Sequence, residues 1–199
     1  KKININQLLN AIKHKYTIII IPDFLFRNLA IKNSDYTKIE VEEEMVLHIK
    51  RKWKNIEGYM LDLKKKYRNK IKKILKETST IEIKNLSPNN IEAYSTHIQK
   101  LFIQVVSTSK FKGPMFNTDS FTSFIKHGFM RVDGYFLDNK LIGFSSEIEQ
   151  EEVLYSYFVG FNKDLNKSVP IYGRILIENI TNAINLNKKQ LILGRTANE

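Results

Sequence analysis

The stretch "FMRVDGYFLDNKLIGFSSEIEQEEVLYSYFVGFN", residues 129–162, decides the fold. It holds three segments rich in β-branched and aromatic residues, separated by the tight turn "DNK" and the acidic turn "EQEE". Segments of this kind that follow one another at short intervals pair as consecutive antiparallel strands. The sequence therefore predicts an antiparallel meander of three strands.

The segments on either side of the meander extend it into an α/β pattern. Upstream, residues 79–86 predict a strand, a Ser-Pro pair opens a helix over 87–107, and a short helix ends at Gly128. Downstream, the loop "KDLNKSVP" leads into a helix over 171–186, and "QLILG" predicts a last strand. From residue 79 the predicted order is strand, two helices, three strands, helix and strand.

The first fifty residues predict a smaller set of elements. The helix is "INQLLNAIKHK" (5–15), and the strands are "YTIIIIPDFLF" (16–26) and "TKIEVEEEMVLHI" (37–49). These elements are too few for a domain of their own. We therefore expect them to be the trailing part of a larger unit.

Residues 56–77 are predicted to form one long amphipathic helix with a basic face. Eight Lys or Arg residues occupy the thirteen positions from Lys64 to Lys76. Three interpretations stay open, namely a solvated face, a phosphate-bearing substrate bound through Lys66 and Arg68, and a nucleic-acid surface. Duplex DNA recognition needs base-reading side chains beside the phosphate contacts, and only Arg68 and Asn69 qualify, so no DNA partner is predicted.

Composition sets limits on the class of protein. A chain of 199 residues suits one domain or slightly more, and its net charge of +11 favours anionic partners, although a general Lys and Asn bias also explains it. The longest apolar run, "IIII", is far shorter than the roughly 20 residues that span a bilayer, so no membrane span is predicted. The four histidines lack metal-ligand spacing, so no metal is predicted. Cytoplasm is the default location, and the oligomeric state is unknown from sequence.

The predicted order of elements resembles the GNAT acyltransferase fold. Four segments sharpen the resemblance: "YMLDLKKKYRNKIKKILKE" (59–77), "KLIGF" (140–144), "YFVGFNKDLNKSVPIYGRILIENITNAI" (157–184) and "LGRTANE" (193–199). In this order they are similar to the FemABX-like branch, often labelled peptidoglycan-biosynthesis-like acetyltransferases. The resemblance implies an α/β (α+β) fold with a mixed, mostly antiparallel sheet flanked by helices. It also implies a partial GNAT-like half ending in residues 1–50, and an acyltransferase domain at 51–199 that is truncated at its carboxyl end.

The same resemblance implies an activity. Proteins of this kind are N-acyltransferases that move an acyl or aminoacyl group from a thioester or aminoacyl-tRNA donor to an amine, by direct attack in a ternary complex. Acyl-CoA is the implied co-substrate, and the implied partners are a small-molecule or cell-wall-precursor acceptor and tRNA. The alternative left open is a non-catalytic GNAT-fold module that binds an anionic polymer through its basic helix.

The resemblance also places the donor. Two parallel strands, expected at 154–162 and 190–194, should splay apart around the donor, with backbone donors along the first strand. Coenzyme A users carry a Gly-rich pyrophosphate turn at the next helix, whereas "NKSVPIYG" (166–173) has one glycine and a proline, so the donor stays open. The predicted donor-binding residues are Phe158, Val159, Gly160, Lys163, Lys167, Ser168, Tyr172, Gly173 and Arg174.

Catalytic candidates lie on the meander. Glu147 and Glu149 are spaced i, i+2 on one face of the central strand, which makes both candidates for the general base. Tyr155 and Tyr157 share a face of the next strand and are predicted as substrate wall and proton relay. Solvent-facing or packed roles remain open for all four. Beyond the last strand, Arg195 and Glu199 are predicted to bind substrate or to form a structural ion pair.

Overall fold

The computed structural model describes residues 5–20, 37, 45–107 and 116–194. The chain divides into two compact units, residues 1–41 and 42–199. In the first unit the predicted helix is present as α1, Ile5–Ile12. Residues 16–20, the described part of the predicted strand 16–26, are not a strand, and Ile18 and Ile20 are largely exposed. A β-branched run favours extended backbone, but a strand also needs a paired neighbour and a buried face.

The second unit contains the predicted order of elements. None of the helices in the described ranges is long and apolar enough to cross a lipid bilayer. The strands are β1 (Val46–His48), β2 (Glu82–Asn85), β3 (Arg131–Leu137), β4 (Lys140–Glu149), β5 (Val153–Phe161) and β6 (Gln190–Ile192), and the helices are α2 (Ile56–Leu61), α3 (Lys65–Glu77), α4 (Ile91–Val106), α5 (Ser120–Lys126) and α6 (Ile171–Asn185), with a 3-10 turn at Leu165–Lys167.

The strands form one six-stranded sheet in the order β1-β6-β5-β4-β3-β2. Only β5 and β6 are parallel, so the mixed, mostly antiparallel sheet flanked by helices is confirmed. Asp138 and Asn139 both have positive φ, as the tight turn of the β3–β4 hairpin requires. Strand β1 lies within the range assigned to the trailing half, yet it pairs with β6. The interpretation of residues 1–50 as a partial GNAT-like half stays a prediction.

Helices cover both faces of the sheet. On one face, Ile171 and Ile175 of α6 pack with Tyr135 and Phe161. On the other face, Phe102 of α4 contacts the ring of Phe158 edge-on. The approach of α4 is so close that a Cβ on Gly160 would lie 2.7 Å from the backbone nitrogen of Phe102. Glycine at 160 therefore allows α4 to lie directly on β5.

The predicted single helix over 56–77 is wrong in one respect, because it is broken into α2 and α3. The Asp62 carboxylate in the break accepts hydrogen bonds from Lys52 Nζ (2.5 Å) and Trp53 Nε1 (2.9 Å), and these hold its pKa well below the ordinary value. The Arg68 guanidinium donates to the carbonyl oxygen of Leu63 (3.0 Å) and satisfies a group that a broken helix leaves unpaired. The apolar spacing continues across the break because both helices pack on α6.

Candidate active site

Strand β6 pairs along its whole length with the first three residues of β5. Their parallel pairing consists of Val153 with Gln190, Leu154 with Leu191, and Tyr155 with Ile192. Beyond that point β5 continues to Phe161, and the two described residues after β6 bond to Met45, next to β1: Leu193 N–H donates to Met45 O (2.9 Å), and Met45 N–H donates to Gly194 O (3.0 Å). The described residues end at Gly194, so the splaying of the two strands that the resemblance implies stays a prediction. We call the region on the β6 side of residues 156–161 the opening.

A β-bulge in β5 lies just beyond the end of its pairing with β6. The register between β4 and β5 shifts between Ser145 and Glu147, so Tyr157 and Phe158 together oppose Ser146. The Phe158 N–H donates to Ser146 Oγ (2.8 Å), which occupies that amide within the sheet. A bulge bends its strand and increases its twist, which favours the predicted splaying of β5 from β6.

Two backbone amides of β5 face the opening. The Asn162 N–H donates to Ile142 O on β4 (2.9 Å), which fixes the alternation of the preceding residues. The polar backbone groups of Gly160 then point to β4, and those of Val159 and Phe161 point to the opposite edge of β5, the side on which β6 lies. Of the predicted backbone donors, Val159 is thus directed at the opening, and Phe158 and Gly160 are directed into the sheet.

Glu147 is a buried carboxyl group next to this region. Its side chain is 2% exposed, and it is the cross-strand neighbour of Ser156, the first β5 residue beyond the β5–β6 pairing. Burial raises its pKa to about 7, and the hydrogen bonds from Asn182 and the charge of Arg131 act in the opposite direction. Asn182 Nδ2 lies 3.1 Å from both carboxylate oxygens. A carboxyl group that changes protonation near neutral pH has the property expected of a general base.

Glu147 belongs to a larger polar cluster buried between the sheet and α6. Tyr135 Oη and Ser145 Oγ are hydrogen-bonded at 3.2 Å, and Asn179 Nδ2 donates to Ser156 Oγ at 2.7 Å. Asn179 is fully buried, and its Oδ1 has no hydrogen-bond partner among the described residues. A buried acceptor without a donor is costly, which is unusual away from functional sites. The polar cluster comprises Asp133, Tyr135, Ser145, Glu147, Ser156, Asn179 and Asn182, together with Arg131, whose side chain is 44% exposed.

The other catalytic candidates have different surroundings. The Glu149 side chain is 57% exposed and forms an ion pair of 2.7 Å with Lys188. Tyr155 is buried, whereas Tyr157 is about one third exposed and its ring lies 4.3 Å from that of Phe158. Burial raises the pKa of Tyr157, so its phenol stays protonated at neutral pH. Glu147 and Glu149 share a strand face, but the first carboxyl group is buried and the second is exposed and ion-paired.

The start of α6 is the place where the GNAT fold binds the donor's phosphates. Here the Tyr172 N–H donates to Asn166 Oδ1 (2.8 Å), and the Ile171 N–H donates to Val169 O (2.7 Å). A Cβ on Gly173 would lie 2.9 Å from Ile74 Cδ1. Gly173 therefore permits the close packing of α3 on α6, and two amides of the first turn are already engaged.

The predicted phosphate-binding side chains around this helix start have partners inside the chain. Arg174 pairs with Glu178 at 2.8 Å, and Lys167 pairs with Asp164 at 2.7 Å. Ser168 Oγ donates to a carbonyl of the 3-10 turn, and the backbone N–H of Lys163 donates to Gln104 Oε1. The structure brings these residues to one end of α6, but several of their donors are occupied.

The predicted substrate contacts are dispersed. Lys66 lies exposed on α3, whereas the guanidinium of Arg68 is turned back toward the end of α2. Arg195 and Glu199 lie outside the described residues, so their roles stay predictions.

Sequence reasoning missed most of the polar cluster. Asp133 stands in the middle of an apolar strand, and its carboxylate accepts from Arg131 (2.8 Å) while 4% exposed. Asn179 and Asn182 are spaced i, i+3 on the α6 face that otherwise presents isoleucines to the sheet. Polar residues at positions whose periodicity assigns them to a core are the signal that could have identified this site.

Known proteins resemble this chain in their fold but not in their amino-acid sequence. No family model matches the sequence, and no curated protein matches it. Among solved structures, FemX is similar at a TM-score of 0.58 and 8% identity, over 78% of this chain and 53% of that one. L-PGS from Bacillus licheniformis is similar at a TM-score of 0.54 and 10% identity, over 76% of this chain and 45% of that one. The C-terminal DUF2156 domain of a lysylphosphatidylglycerol synthetase from Agrobacterium fabrum is similar at a TM-score of 0.51 and 11% identity, over 70% of this chain and 44% of that one.

The chain thus spans about half the length of these structures. What the chain has in common with them is the fold, since the identities of 8% to 11% show no more than that. The chain has a GNAT-like fold, and the resemblance to the FemABX-like branch is confirmed at the level of fold.

Proposed function

We propose that the chain is an N-acyltransferase that moves an acyl or aminoacyl group from an activated donor to an amine by direct attack. The single observation that carries this proposal is that β5 runs on to Phe161, beyond its pairing with β6, which ends at Tyr155 and Ile192. In this proposal the two strands splay apart beyond that point, and a slender donor arm lies beside the backbone N–H groups of β5.

The chemistry follows from the groups around the opening. The N–H groups of Val159 and Phe161 donate to the donor's carbonyl oxygen and stabilise the negative charge that develops when the amine attacks. Glu147, with a pKa of about 7, accepts the proton that the amine loses as the new C–N bond forms. The tetrahedral intermediate then collapses, the bond to the thiolate or ribose oxygen breaks, and the Tyr157 phenol supplies a proton to that leaving group.

The start of α6 favours an aminoacyl-tRNA over acyl-CoA as the donor. Two of the first-turn amides that would hold a pyrophosphate are engaged by Asn166 and Val169, and Gly173 is taken up by helix packing. The FemABX-like resemblance also implies aminoacyl-tRNA as a donor. Acyl-CoA remains a donor that the fold permits. We place the reaction in the cytoplasm, and a small amine or cell-wall precursor is the proposed acceptor.

The non-catalytic alternative is less well supported. A passive binding module has no use for a carboxyl group that is 2% exposed and raised to a pKa of about 7, since burial of that group lowers the stability of the fold at neutral pH.

A donor panel tests the proposal. The chain is incubated with a mixed set of radiolabelled aminoacyl-tRNAs or with labelled acetyl-CoA, together with lysine, polyamines and a cell-wall precursor peptide. We expect label to appear in an amide that survives mild base, which hydrolyses the donor esters. Transfer only from acetyl-CoA would overturn the choice of donor, and no transfer from any donor would overturn the acyltransferase proposal itself.

A further inference from the structure

The outer surface of α3 carries a dense positive charge. The helix contains one acidic residue, Glu77, which lies 3.7 Å from Lys73. Like charges spaced i, i+4 along an isolated helix each lower its stability slightly. An anionic partner would relieve that repulsion. The exposed lysines are Lys64, Lys65, Lys66, Lys70, Lys72, Lys73 and Lys76.

Apolar groups lie beside these lysines. Leu61 at the end of α2 is 70% exposed, and Tyr67 on α3 is 53% exposed. A groove of about 610 Å³ runs between α3 and α6, with Lys70 and Lys73 among its lining residues. Its apolar lining includes Leu63, Ile71, Ile74, Leu176, Ile177 and Ile180. The surface thus combines many cations with exposed apolar side chains and an apolar groove.

This combination fits a lipid surface better than a nucleic acid. Specific recognition of nucleic acid relies on side chains such as Arg that read base edges and on aromatic platforms for stacking. The only Arg of α3, Arg68, donates to the carbonyl groups of Leu61 and Leu63 and is turned toward the protein. Lysines remain, and they are suited to anionic headgroups as point charges.

We propose that α3, Leu61 and the groove beside α3 dock the protein on the surface of an anionic lipid bilayer. The lysines lie at the level of the headgroups, and Leu61 and Tyr67 enter the interfacial region. The attraction is long-range and sensitive to salt, and each Lys near an anionic surface strengthens binding about fivefold. This docking does not depend on the transfer reaction, because the groups proposed for that reaction, Val159, Phe161, Glu147 and Tyr157, lie on the sheet and not on this surface.

Co-sedimentation with vesicles tests the proposal. The full chain is mixed with vesicles of phosphatidylglycerol and phosphatidylcholine, or with vesicles of phosphatidylcholine alone. The test variant combines Lys65→Gln, Lys70→Gln, Lys72→Gln and Lys76→Gln, and the control combines Lys54→Gln, Lys100→Gln, Lys126→Gln and Lys140→Gln. Both variants lose four charges at exposed positions, so they differ only in where the charge is removed.

We expect the wild-type chain to bind the anionic vesicles and not the neutral ones. The test variant should lose at least about 50-fold in affinity and the control only a few-fold. A further variant with Leu61→Ser and Tyr67→Ser should lose about tenfold with little change in salt dependence.

Three outcomes would overturn the proposal. The first is that the wild-type chain does not bind anionic vesicles, and the second is that the test and control variants lose affinity equally. The third is that the wild-type chain binds an RNA oligonucleotide but not vesicles, and that the test variant no longer binds the oligonucleotide. Amide formation is measured separately in the same protein preparations, with the donor panel and without vesicles. Failure of docking is therefore distinguishable from failure of the transfer activity.

Discussion

The two halves of α6 differ in kind. The first half packs tightly on α3 through Gly173 and engages its own amides with Asn166 and Val169. The second half presents Asn179 and Asn182 to the sheet, where they bond Ser156 and Glu147. One helix is thus a packing element at the end where this fold binds phosphates, and a polar element beside the opening.

The difference teaches where the chemistry of this chain resides. A helix N-terminus attracts anions through unpaired amides, and that property is reduced when neighbouring oxygens accept from those amides. A carboxyl group gains basicity when it is removed from water, which happens to Glu147 beneath the second half. We therefore propose that catalysis takes place beside the second half. Gly173 in the first half has a packing role, and its donor contact stays a prediction.

Replacement of the buried carboxyl group should have the largest effect. We expect Glu147→Gln to lower kcat by about 10²- to 10⁴-fold with little change in KM, because general base catalysis contributes that much. The assay is steady-state amide formation with the donor identified by the panel. Glu152→Gln, an exposed residue of the β4–β5 turn paired with Lys189, is the matched control. Equal activity of the two variants would remove Glu147 from the mechanism.

The stability of the fold should depend on pH through the same group. The pKa of Glu147 is raised from an ordinary 4.5 to about 7, so between these values the unfolded chain is ionised and the folded chain holds a proton. Stability is therefore greatest below pH 4.5 and falls by about 3 kcal/mol as pH rises to 7, as far as this one group is concerned. Urea titrations at several pH values should show that loss in wild type relative to Glu147→Gln. Parallel curves for the two proteins would contradict the raised pKa.

Removal of the amide that holds Glu147 should have a smaller effect. The hydrogen bonds from Asn182 favour the ionised carboxylate, so Asn182→Leu should raise the pKa of Glu147 further. We expect the ascending limb of the pH–rate profile to move up by about one to two pH units. Asn185→Leu, the same substitution at the exposed end of α6, should leave the profile in place. A loss of rate without a shift would indicate a merely structural role.

The packing end of α6 can be tested with a double-mutant cycle. Ala at 173 improves helix propensity by about 1 kcal/mol but brings a Cβ within 2.9 Å of Ile74 Cδ1. Ile74→Val removes that atom. We therefore expect Gly173→Ala to stabilise the fold more in the Ile74→Val background than in wild type, with a coupling energy of about 1 kcal/mol measured by urea unfolding. Additive effects would show that Gly173 and Ile74 do not restrict each other.

The sheet could be predicted from sequence because its signals are local. Residues 129–162 contain their own turns, and the type of turn at Asp138 and Asn139 fixes the register of the first hairpin. The break between α2 and α3 could not be predicted, because it depends on Asp62 meeting Trp53 and on Arg68 turning back. The apolar residues of 56–77 recur at the spacing of one continuous helix, so the sequence pattern carries no sign of the break.

The candidate site could be predicted only in part. Strand alternation placed Glu147 and Glu149 on one face, but burial by α6 is what separates the chemistry of the two carboxylates. The occupied amides at the start of α6 depend on Asn166, whose side chain reaches the Tyr172 N–H across the preceding loop. Tertiary contacts of this kind leave no periodic trace in a sequence.

The pH dependence of single-turnover transfer tests the central claim most directly. We predict that the rate for wild type rises through an apparent pKa near 7 and that this ionisation disappears in Glu147→Gln. A wild-type profile that keeps the same midpoint in the Glu147→Gln variant would contradict Glu147 as the base beside the β5–β6 opening.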